Sequence, residues 1–357
     1  MAEVEEPTGG GCDEGSTSMT AKEKRRAQRK RLPPWFKTSL PTGEDQIRFN
    51  ATKETIEGGS LHTVCEEARC PNIHDCWGRG TATFMVAGEE CTRGCRFCAV
   101  GTIRTPPPLD PDEPKRLADA VKNMALNYVV ITVVNRDDLP DGGASHYRAC
   151  LDAIHEIRPD IGLELLCSDL DGNTDALAIL LDGAPLDVFA HNVECIERLD
   201  PVVRDPRATF AQSKRILKEA KRLRPDLLTK TSIMVGVGER DEEITATMKE
   251  LREIDVDLIT IGQYLQPTDR HLPVDRFPEP ERYAEWDTEA REMGYRGVAC
   301  GPLVRSSFRA GLLRDEAYGE APAVTRSSTN SAISFLKPNS TSPNTLRDSP
   351  IQPNEYP

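Results

Sequence analysis

The chain has 357 residues, enough for one large domain with a full hydrophobic core and extensions at both ends. Its net charge of −13 argues against general nucleic-acid affinity, and 38% hydrophobic residues without an apolar run of about 18 residues argue against a membrane span. The acidic N-terminus has no apolar stretch that fits a secretory signal peptide, so we expect a cytoplasmic protein.

Five segments of different composition follow one another along the chain. Residues 1–32 lack apolar periodicity and are predicted to form a disordered arm, first acidic and then basic. Residues 316–357 are rich in Ser, Asn, Thr and Pro, which cannot bury a core, and are predicted to form a disordered tail. Between them we place an N-terminal segment at 33–80, a barrel domain at 81–294 and a C-terminal segment at 295–315.

Short apolar runs alternate with amphipathic patterns through the middle of the chain. The predicted strands are 81–88, 128–134, 162–167, 186–193, 228–237 and 257–265. The predicted helices include 114–127, 145–158, 209–223 and 241–255. Six strand–helix units predict an α/β fold, a partial (β/α)6 TIM-like barrel with an N-terminal segment and a C-terminal extension. On such a barrel the chemistry lies at the carboxyl ends of the strands.

Six of the eleven cysteines fall into two groups of three. The second group, Cys91, Cys95 and Cys98, follows the first predicted strand in a CxxxCxxC pattern. Three close thiolates suit three irons of a [4Fe–4S] cluster and leave the fourth iron open to a cofactor. Phe97, between two of these cysteines, would shield the cluster from water. The alternatives are a zinc site completed by a distant ligand, or buried cysteines without metal.

The CxxxCxxC spacing after a strand resembles the radical S-adenosylmethionine (SAM) superfamily. In that superfamily the open iron binds SAM, and an electron from the cluster produces a 5′-deoxyadenosyl radical. Residues 61–100, with the first group Cys65, Cys70 and Cys76, are similar to lipoyl synthases. The same resemblance holds for the segments RDDLPDGGA, HNVECIERL, IMVGVGE, IGQYLQP and CGPLVRSS, and it extends over residues 31–313.

The resemblance implies two cluster sites. In lipoyl synthases the first cysteine group holds an auxiliary [4Fe–4S] cluster, completed by a serine of an Arg-Ser-Ser motif, here residues 305–307. We expect Ser307 to be this ligand, with Ser306 as the fallback, and Arg305 to assist the serine or the substrate unless it forms only a surface ion pair. The implied ligand sets are Cys65, Cys70, Cys76 and Ser307 for the auxiliary cluster and Cys91, Cys95 and Cys98 for the SAM cluster.

Six further residues are predicted to lie near SAM: Gly142, Gly143, Glu164, Asn192, Met234 and Gly236. The adjacent glycines follow the second strand and would approach the methionine carboxylate and amine. The glutamate and the asparagine would contact ribose or methionine, or would satisfy backbone groups inside the barrel. By resemblance to the superfamily, the last two would lie near the adenine.

The remaining cysteines and the histidines receive structural interpretations. Cys150, Cys167 and Cys195 are expected to be packing residues. Cys300 precedes the serine pair and is a weaker candidate for contact with the auxiliary cluster. None of the six histidines shows metal-ligand spacing, so no catalytic role is assigned to them. The family's Arg-Ser-Ser-Tyr sequence ends here in Phe308, which removes a hydroxyl group.

The implied function is that of a radical SAM sulfurtransferase. It would insert two sulfur atoms at C6 and C8 of a protein-bound N6-octanoyl-lysine, using SAM-derived radicals and sulfur from the auxiliary cluster, to give the (dihydro)lipoyl group. The expected partners are octanoylated lipoyl domains of 2-oxoacid dehydrogenases, the glycine-cleavage H protein, ferredoxin or flavodoxin as reductant, and an iron–sulfur cluster carrier. No membrane or nucleic-acid partner is expected.

Two other functions compete with this interpretation. A different radical SAM enzyme with an auxiliary cluster would share the second cysteine group, but we would not expect it to share the first group together with the Arg-Ser-Ser motif. A zinc-stabilised binding protein would contain zinc and no sulfide.

Overall fold

The computed structural model describes residues 31–36, 42–58, 62–67, 70–78, 81–124 and 126–319. The predicted disordered arm, apart from its last two residues, and the predicted tail from residue 320 onwards lie outside these ranges.

A mixed sheet forms the centre of the described part of the chain. In chain order the strands are β1 (His62–Thr63), β2 (Thr81–Val86), β3 (Glu90–Cys91), β4 (Gly101–Thr102), β5 (Tyr128–Val133), β6 (Gly162–Leu166), β7 (Val188–Ala190), β8 (Leu228–Val235), β9 (Leu258–Gln263) and β10 (Gly297–Gly301). The main sheet has the order β1-β2-β5-β6-β7-β8-β9-β10, with β1 antiparallel to β2 and all other pairs parallel. β3 and β4 form a separate parallel pair. The predicted partial barrel is confirmed.

The parallel strands are covered on both faces, by the barrel interior and by the outer helices. Their sequences are therefore continuous apolar runs. In β5 the sequence YVVITV is buried at its first five positions, as expected for a strand between the barrel interior and the outer helices. All six predicted strands are present. A seventh parallel strand, β10, was not predicted, because the sequence GVACG is short and contains two glycines. It pairs in register with β9, from Gly297 opposite Leu258 to Gly301 opposite Gly262.

The helices lie on the outside of the sheet and at its ends. They are α1 (Glu44–Gly58), α2 (Val64–Glu67), α3 (Ile73–Gly78), α4 (Glu113–Asn123), α5 (Ala144–Ile157), α6 (Thr174–Leu181), α7 (Asp200–Val203), α8 (Phe210–Leu223), α9 (Asp241–Arg252), α10 (Pro280–Glu292) and α11 (Ala310–Tyr318). The four predicted helices correspond to α4, α5, α8 and α9. The predicted segment boundary at residue 315 falls inside α11.

The core consists of the apolar stripes of these helices packed on the strands. On α5, Tyr147, Leu151 and Ile154 are fully buried at helical spacing, and burial of each such side chain contributes about 1.5–3 kcal/mol. At the amino ends of the strands α11 closes the barrel, where the Arg314 guanidinium stacks 5.1 Å from the Tyr128 ring centroid. The carboxyl ends are thus left for the site. None of the helices in the described ranges combines the length and apolarity needed to cross a bilayer.

Candidate active site

One cavity of about 800 Å³ lies at the carboxyl ends of the parallel strands. Its walls include both cysteine groups and the Arg-Ser-Ser motif. The predicted cluster ligands that line it are Cys65, Cys70, Cys76, Cys91, Cys95, Cys98, Ser306 and Ser307. Residues up to 242 positions apart in the sequence, from Cys65 to Ser307, therefore face one cavity.

The second cysteine group lies on a loop that closes on itself. Cys91 belongs to β3, which pairs with β4, and the intervening residues form the loop. Backbone N–H groups of Arg93 and Asn135 donate to the Cys91 sulfur at 3.4 Å, and the N–H of Asp205 donates to the Cys95 sulfur at 3.3 Å. Hydrogen bonds of this kind to sulfur help set the potential of an iron–sulfur cluster.

A buried ion-pair network fixes this loop to the barrel. The Arg93 side chain is 1% exposed and contacts Asp137, after β5, and Asp169, after β6, both at 2.7 Å. Asp205 adds a second attachment, because its carboxylate accepts a hydrogen bond from the N–H of Gly94 at 2.9 Å. The loop is therefore held by residues that follow adjacent strands.

The first cysteine group lies between short helical turns. The N–H of Cys70 donates to the carbonyl oxygen of Cys65, and the N–H of Cys76 donates to that of Asn72, each at 2.9 Å. Burial, with a smaller contribution from Cys70, raises the pKa of Cys65 to about 12, and burial likewise raises the pKa of Cys98 to about 12. Metal binding at both groups must therefore displace thiol protons.

The serine segment follows β10 and turns into the cavity. The N–H of Val304 donates to Gly301 O at 3.1 Å, and the N–H of Phe308 donates to Arg305 O at 2.9 Å. Burial lowers the pKa of Arg305, whose charge lies close enough to Cys70 to favour the thiolate. Both serines and Phe308 line the cavity.

Of the six residues predicted near SAM, Asn192 and Met234 line the cavity, whereas Glu164 does not. Glu164 is 1% exposed in the middle of β6. It accepts hydrogen bonds from Lys230 Nζ at 2.8 Å and Tyr128 OH at 3.1 Å. The Glu164 carboxylate therefore forms an internal ion pair with Lys230, and its contact with SAM stays a prediction.

The three predicted glycines also lie outside the cavity lining and serve the backbone. Gly143 has φ +92°, and an added Cβ would lie 2.6 Å from Tyr147 OH. Gly142 packs in the same way on the Leu170 backbone, and Gly236, at φ +92°, packs on Gln263. Only glycine tolerates both the positive φ and the close approach. Contacts of these three glycines with SAM stay predictions.

Two residues of the site were not recognised in the sequence. Glu194 lines the cavity beside Asn192, whose Nδ2 donates to Glu194 Oε1 at 3.1 Å, and burial raises the pKa of Glu194. The sequence did contain a signal for Glu194: it lies two residues after Asn192 at the end of a strand, so both side chains can lie on the same side of the chain. His271 Nε2 lies 2.9 Å from Cys98 O and so fastens the loop after β9 to the second cysteine group. The sequence around His271 contains no pattern that predicts this contact.

The other cysteines behave mostly as predicted. Cys150, Cys195 and Cys300 contribute to the hydrophobic core and do not line the cavity. Among the described cysteines outside the two groups, Cys167 alone lies in the cavity wall, and it is 4% exposed.

A third group of ligand-type side chains, Glu113, His146 and Cys150, lies away from this cavity. The His146 Nε2 and Glu113 Oε2 atoms are 2.5 Å apart, whereas ligand atoms around a tetrahedral zinc ion stand about 3.3 Å apart. The carboxylate also accepts a hydrogen bond from the N–H of Ala87 at 2.9 Å. We interpret the group as an internal hydrogen bond that joins α4 to α5.

Comparisons with known proteins agree with the geometry. Residues 85–251 match the Radical SAM superfamily, and residues 12–70 match the N-terminal domain of lipoyl synthase of the Radical SAM family. The chain is 52% identical over 294 residues to lipoyl synthase, mitochondrial, of Bos taurus, covering 81% of this chain and 78% of that one. The corresponding protein of Homo sapiens is 51% identical over 294 residues, covering 81% and 78%.

A solved structure shares the fold at low sequence identity. The FeFe-hydrogenase maturase HydG from Carboxydothermus hydrogenoformans superimposes with a TM-score of 0.51 at 15% identity. The match covers 83% of this chain and 66% of that one.

The prediction of a cytoplasmic protein is wrong. The relatives are named mitochondrial lipoyl synthases. The prediction depended on the lack of an apolar secretory signal, but mitochondrial import sequences are amphipathic and basic rather than apolar. That criterion did not test for them.

Proposed function

The chain belongs to the lipoyl synthase family of radical SAM enzymes, and from this premise we propose which of its residues hold the clusters. It is a radical SAM sulfurtransferase that inserts two sulfur atoms, at C6 and C8, into a protein-bound octanoyl-lysine, with SAM and [4Fe–4S] clusters as cofactors. We assign Cys91, Cys95 and Cys98 to the SAM cluster, and Cys65, Cys70, Cys76 and Ser307 to the auxiliary cluster.

The observation that carries this assignment is the shared cavity. Each cysteine group supplies three sulfur ligands, one fewer than a [4Fe–4S] cluster has irons. The serine pair reaches the cavity beside the first group, where Arg305 neighbours Cys70. Hydrogen bonds from Asn72 to Leu303 and from Arg309 to Asp75 join the serine segment to the loop of the first group. A fourth protein ligand at the first group suits an iron left open for SAM at the second.

The chemistry requires a site that keeps water away from a radical. The octanoyl C–H bonds are unactivated, so SAM with its cluster supplies a radical to break them and the auxiliary cluster supplies the sulfur. The chain's own part is to place the substrate and exclude water. The aromatic side chains of Phe97, Tyr264 and Phe308 line the cavity close to the cluster ligands and serve this purpose.

Three residues at strand ends are proposed to contact SAM. Asn192 and Glu194 follow β7 and offer an amide and a carboxylate to hydroxyl or amino groups. Met234, on β8, offers an apolar surface to the adenine. The hydrogen bond between Asn192 and Glu194 orients both side chains before the ligand binds.

The expected partners follow from the substrate. We propose that octanoylated lipoyl domains and the glycine-cleavage H protein present the octanoyl-lysine, that ferredoxin or flavodoxin supplies electrons, and that a cluster carrier replaces the auxiliary cluster. The names of the relatives favour mitochondria as the location. A tagged chain that fails to fractionate with mitochondria would contradict this location.

A single-turnover assay tests the cluster assignment. Anaerobically reconstituted protein is given an octanoyl-lysine peptide, SAM and dithionite, and the peptide mass and 5′-deoxyadenosine are measured. We expect two sulfurs and about two 5′-deoxyadenosines per product in the wild type. Cys70→Ala should still cleave SAM without transferring sulfur, and Cys95→Ala should do neither. SAM cleavage without sulfur transfer in the wild type would refute the proposal.

The serine ligand is tested by a matched pair. Ser307→Ala and Ser306→Ala differ by one position in the same segment, and both side chains line the cavity. If Ser307 is the ligand, Ser307→Ala loses sulfur transfer and Ser306→Ala largely keeps it. The reverse result would move the assignment to Ser306.

A further inference from the structure

The segment that carries the two serines contacts the first cysteine group on both of its sides. On the amino side, Asn72 Nδ2 donates a hydrogen bond of 2.5 Å to the carbonyl oxygen of Leu303. On the carboxyl side, Arg309 Nε lies 3.5 Å from the carboxylate of Asp75, the residue before Cys76. These partners are 231 and 234 residues apart, so the contacts join distant parts of the chain.

Asn72 is itself firmly placed. It is 5% exposed and lies between Cys70 and Cys76 in the sequence, and its carbonyl oxygen accepts a hydrogen bond from the N–H of Cys76. A buried side-chain amide without a partner costs free energy. The bond to Leu303 is thus the arrangement that satisfies the amide and, at the same time, ties the cysteine loop to the serine segment.

Ser306 and Ser307 lie between the two contacts. A short segment held at both ends has few conformations, so its serine hydroxyls stay at a high effective concentration next to the cysteine loop. The contacts at Leu303 and Arg309 use protein atoms only. They do not depend on a metal that bridges serine and cysteine.

Resting on the cluster assignment above, we propose that Asn72, supported by the Arg309 contact, is a positioning residue that keeps the serine ligand at the auxiliary site while the cluster is consumed and replaced. Sulfur donation dismantles the cluster, so its irons do not hold the serine segment to the cysteine loop throughout the cycle. The hydrogen bond from Asn72 to Leu303 holds the serine segment to the cysteine loop when the irons are absent. A new cluster can then bind all four ligands at once.

The test measures how long the auxiliary site keeps its fourth iron. In a background with Cys91, Cys95 and Cys98 replaced by Ala, only the auxiliary site is expected to hold a cluster. Iron release to a chromogenic chelator is timed anaerobically, and Mössbauer spectroscopy distinguishes four-iron from three-iron clusters. Asn72→Asp replaces the donating amide by a carboxylate oxygen, and we expect it to lose the fourth iron roughly 5- to 30-fold faster than the background.

A matched control removes a similar hydrogen bond elsewhere. Asn123 Nδ2 donates to Asp119 O at 2.9 Å on the exposed face of α4, so Asn123→Asp should release iron at the background rate. Asn72→Ala deletes the donor without adding a charge and replaces Asn72→Asp if the latter does not fold. Release from the Asn72 variant at the rate of Asn123→Asp overturns the positioning role.

Serine variants in the same background separate this inference from the ligand assignment. If Ser307→Ala loses the fourth iron and the Asn72 variant does not, the serine assignment stands and the positioning role is overturned. If Ser307→Ala and Ser306→Ala both keep four irons, the ligand assignment fails and the positioning role fails with it. Faster loss in both Ser307→Ala and the Asn72 variant supports the proposal.

Discussion

At the scale of single residues, buried charge organises the loop that carries the second cysteine group. Arg93 lies among carboxylates contributed by the ends of two strands, with Asp169 as buried as the arginine itself. Burial of ions is costly, and such an arrangement is stable only when every charge has a partner. The network therefore holds the loop in one position, and substitution of any of its charged residues should destabilise the fold.

Replacement of Arg93 by Gln should destabilise the protein strongly. It leaves Asp169 buried without its cation, a loss of about 3–5 kcal/mol in the free energy of unfolding for a buried pair. Urea unfolding of the two proteins measures this. Arg116→Gln is the control, because its partner Asp110 is exposed, and it should leave stability nearly unchanged. An Arg93→Gln protein as stable as the wild type would disprove the role of the network.

His191 predicts a dependence of stability on pH. Burial, only partly offset by Asp169, lowers its pKa from 6.5 to about 4, and its ring nitrogens bond Cys167 O and Ser213 Oγ at 2.9 Å. Between pH 6.5 and pH 4, His191 is therefore neutral in the folded protein and protonated in the unfolded chain. The stability associated with neutral His191 is fully present above pH 6.5 and decreases as the pH falls towards 4, by on the order of 3 kcal/mol.

Urea unfolding of the apoprotein between pH 7.5 and pH 4 checks this prediction at His191. His191→Asn lacks the titrating ring, so its stability should fall less steeply across that range. Because carboxylates also titrate near pH 4, the comparison of the two slopes above pH 4.5 is decisive. Identical slopes would show that His191 does not contribute.

At the scale of elements, the approach of the serine segment to β9 depends on one glycine. A Cβ added at Gly262 would lie 2.1 Å from the carbonyl oxygen of Val304, far inside van der Waals contact. Gly262 pairs with Gly301 at the end of β10, just before the segment turns into the cavity. The absence of a side chain at this position therefore sets where the serines can lie.

Gly262→Ala should displace the serine segment and leave the barrel folded. We expect the auxiliary site to lose its fourth iron while the SAM cluster and the far-ultraviolet circular dichroism remain, because the clash is confined to Val304. Iron analysis with Mössbauer spectroscopy measures this. Gly101→Ala is the control near the second cysteine group, since its nearest neighbour, Glu90 Cγ, would lie 4.0 Å away. Four irons at the auxiliary site of Gly262→Ala would contradict the prediction.

At the scale of the whole molecule, the apolar core stabilises the barrel, and the auxiliary cluster is expected to stabilise the segment that carries the first cysteine group. The barrel strands and their helices bury two large apolar clusters of side chains. The first cysteine group, by contrast, lies among short elements, namely β1, α2 and α3. Its loop has little regular structure of its own to maintain it.

Removal of both clusters by a chelator should therefore affect the two parts differently. Far-ultraviolet circular dichroism should be largely retained, and Tm should fall because ligand binding to the native state is lost. Limited proteolysis of the chelated protein should produce a new cut within residues 62–67 or 70–78 that the cluster-loaded protein does not show. A cooperative loss of helical signal on chelation would mean that the barrel also depends on the clusters.

Much of this site could be predicted from local sequence. Cys91, Cys95 and Cys98 are close because eight residues contain them all, and the apolar β-branched runs predict the strands that they follow. Glu164 shows the limit of such reasoning. It lies three residues, about 10 Å, before Cys167 along the chain, and only Cys167 reaches the cavity.

The sequence by itself determined the kind of chemistry, through the resemblance of its motifs to a known family, and the order of most strands and helices, because motifs and hydrophobic periodicity are local properties. The tertiary structure alone decided which polar residues face the cavity, that β10 joins the sheet, and that Asn72 meets Leu303. These outcomes depend on the depth of a residue along its strand and on packing between segments more than 200 residues apart. The pattern of residues within one segment of sequence specifies neither this depth nor this packing.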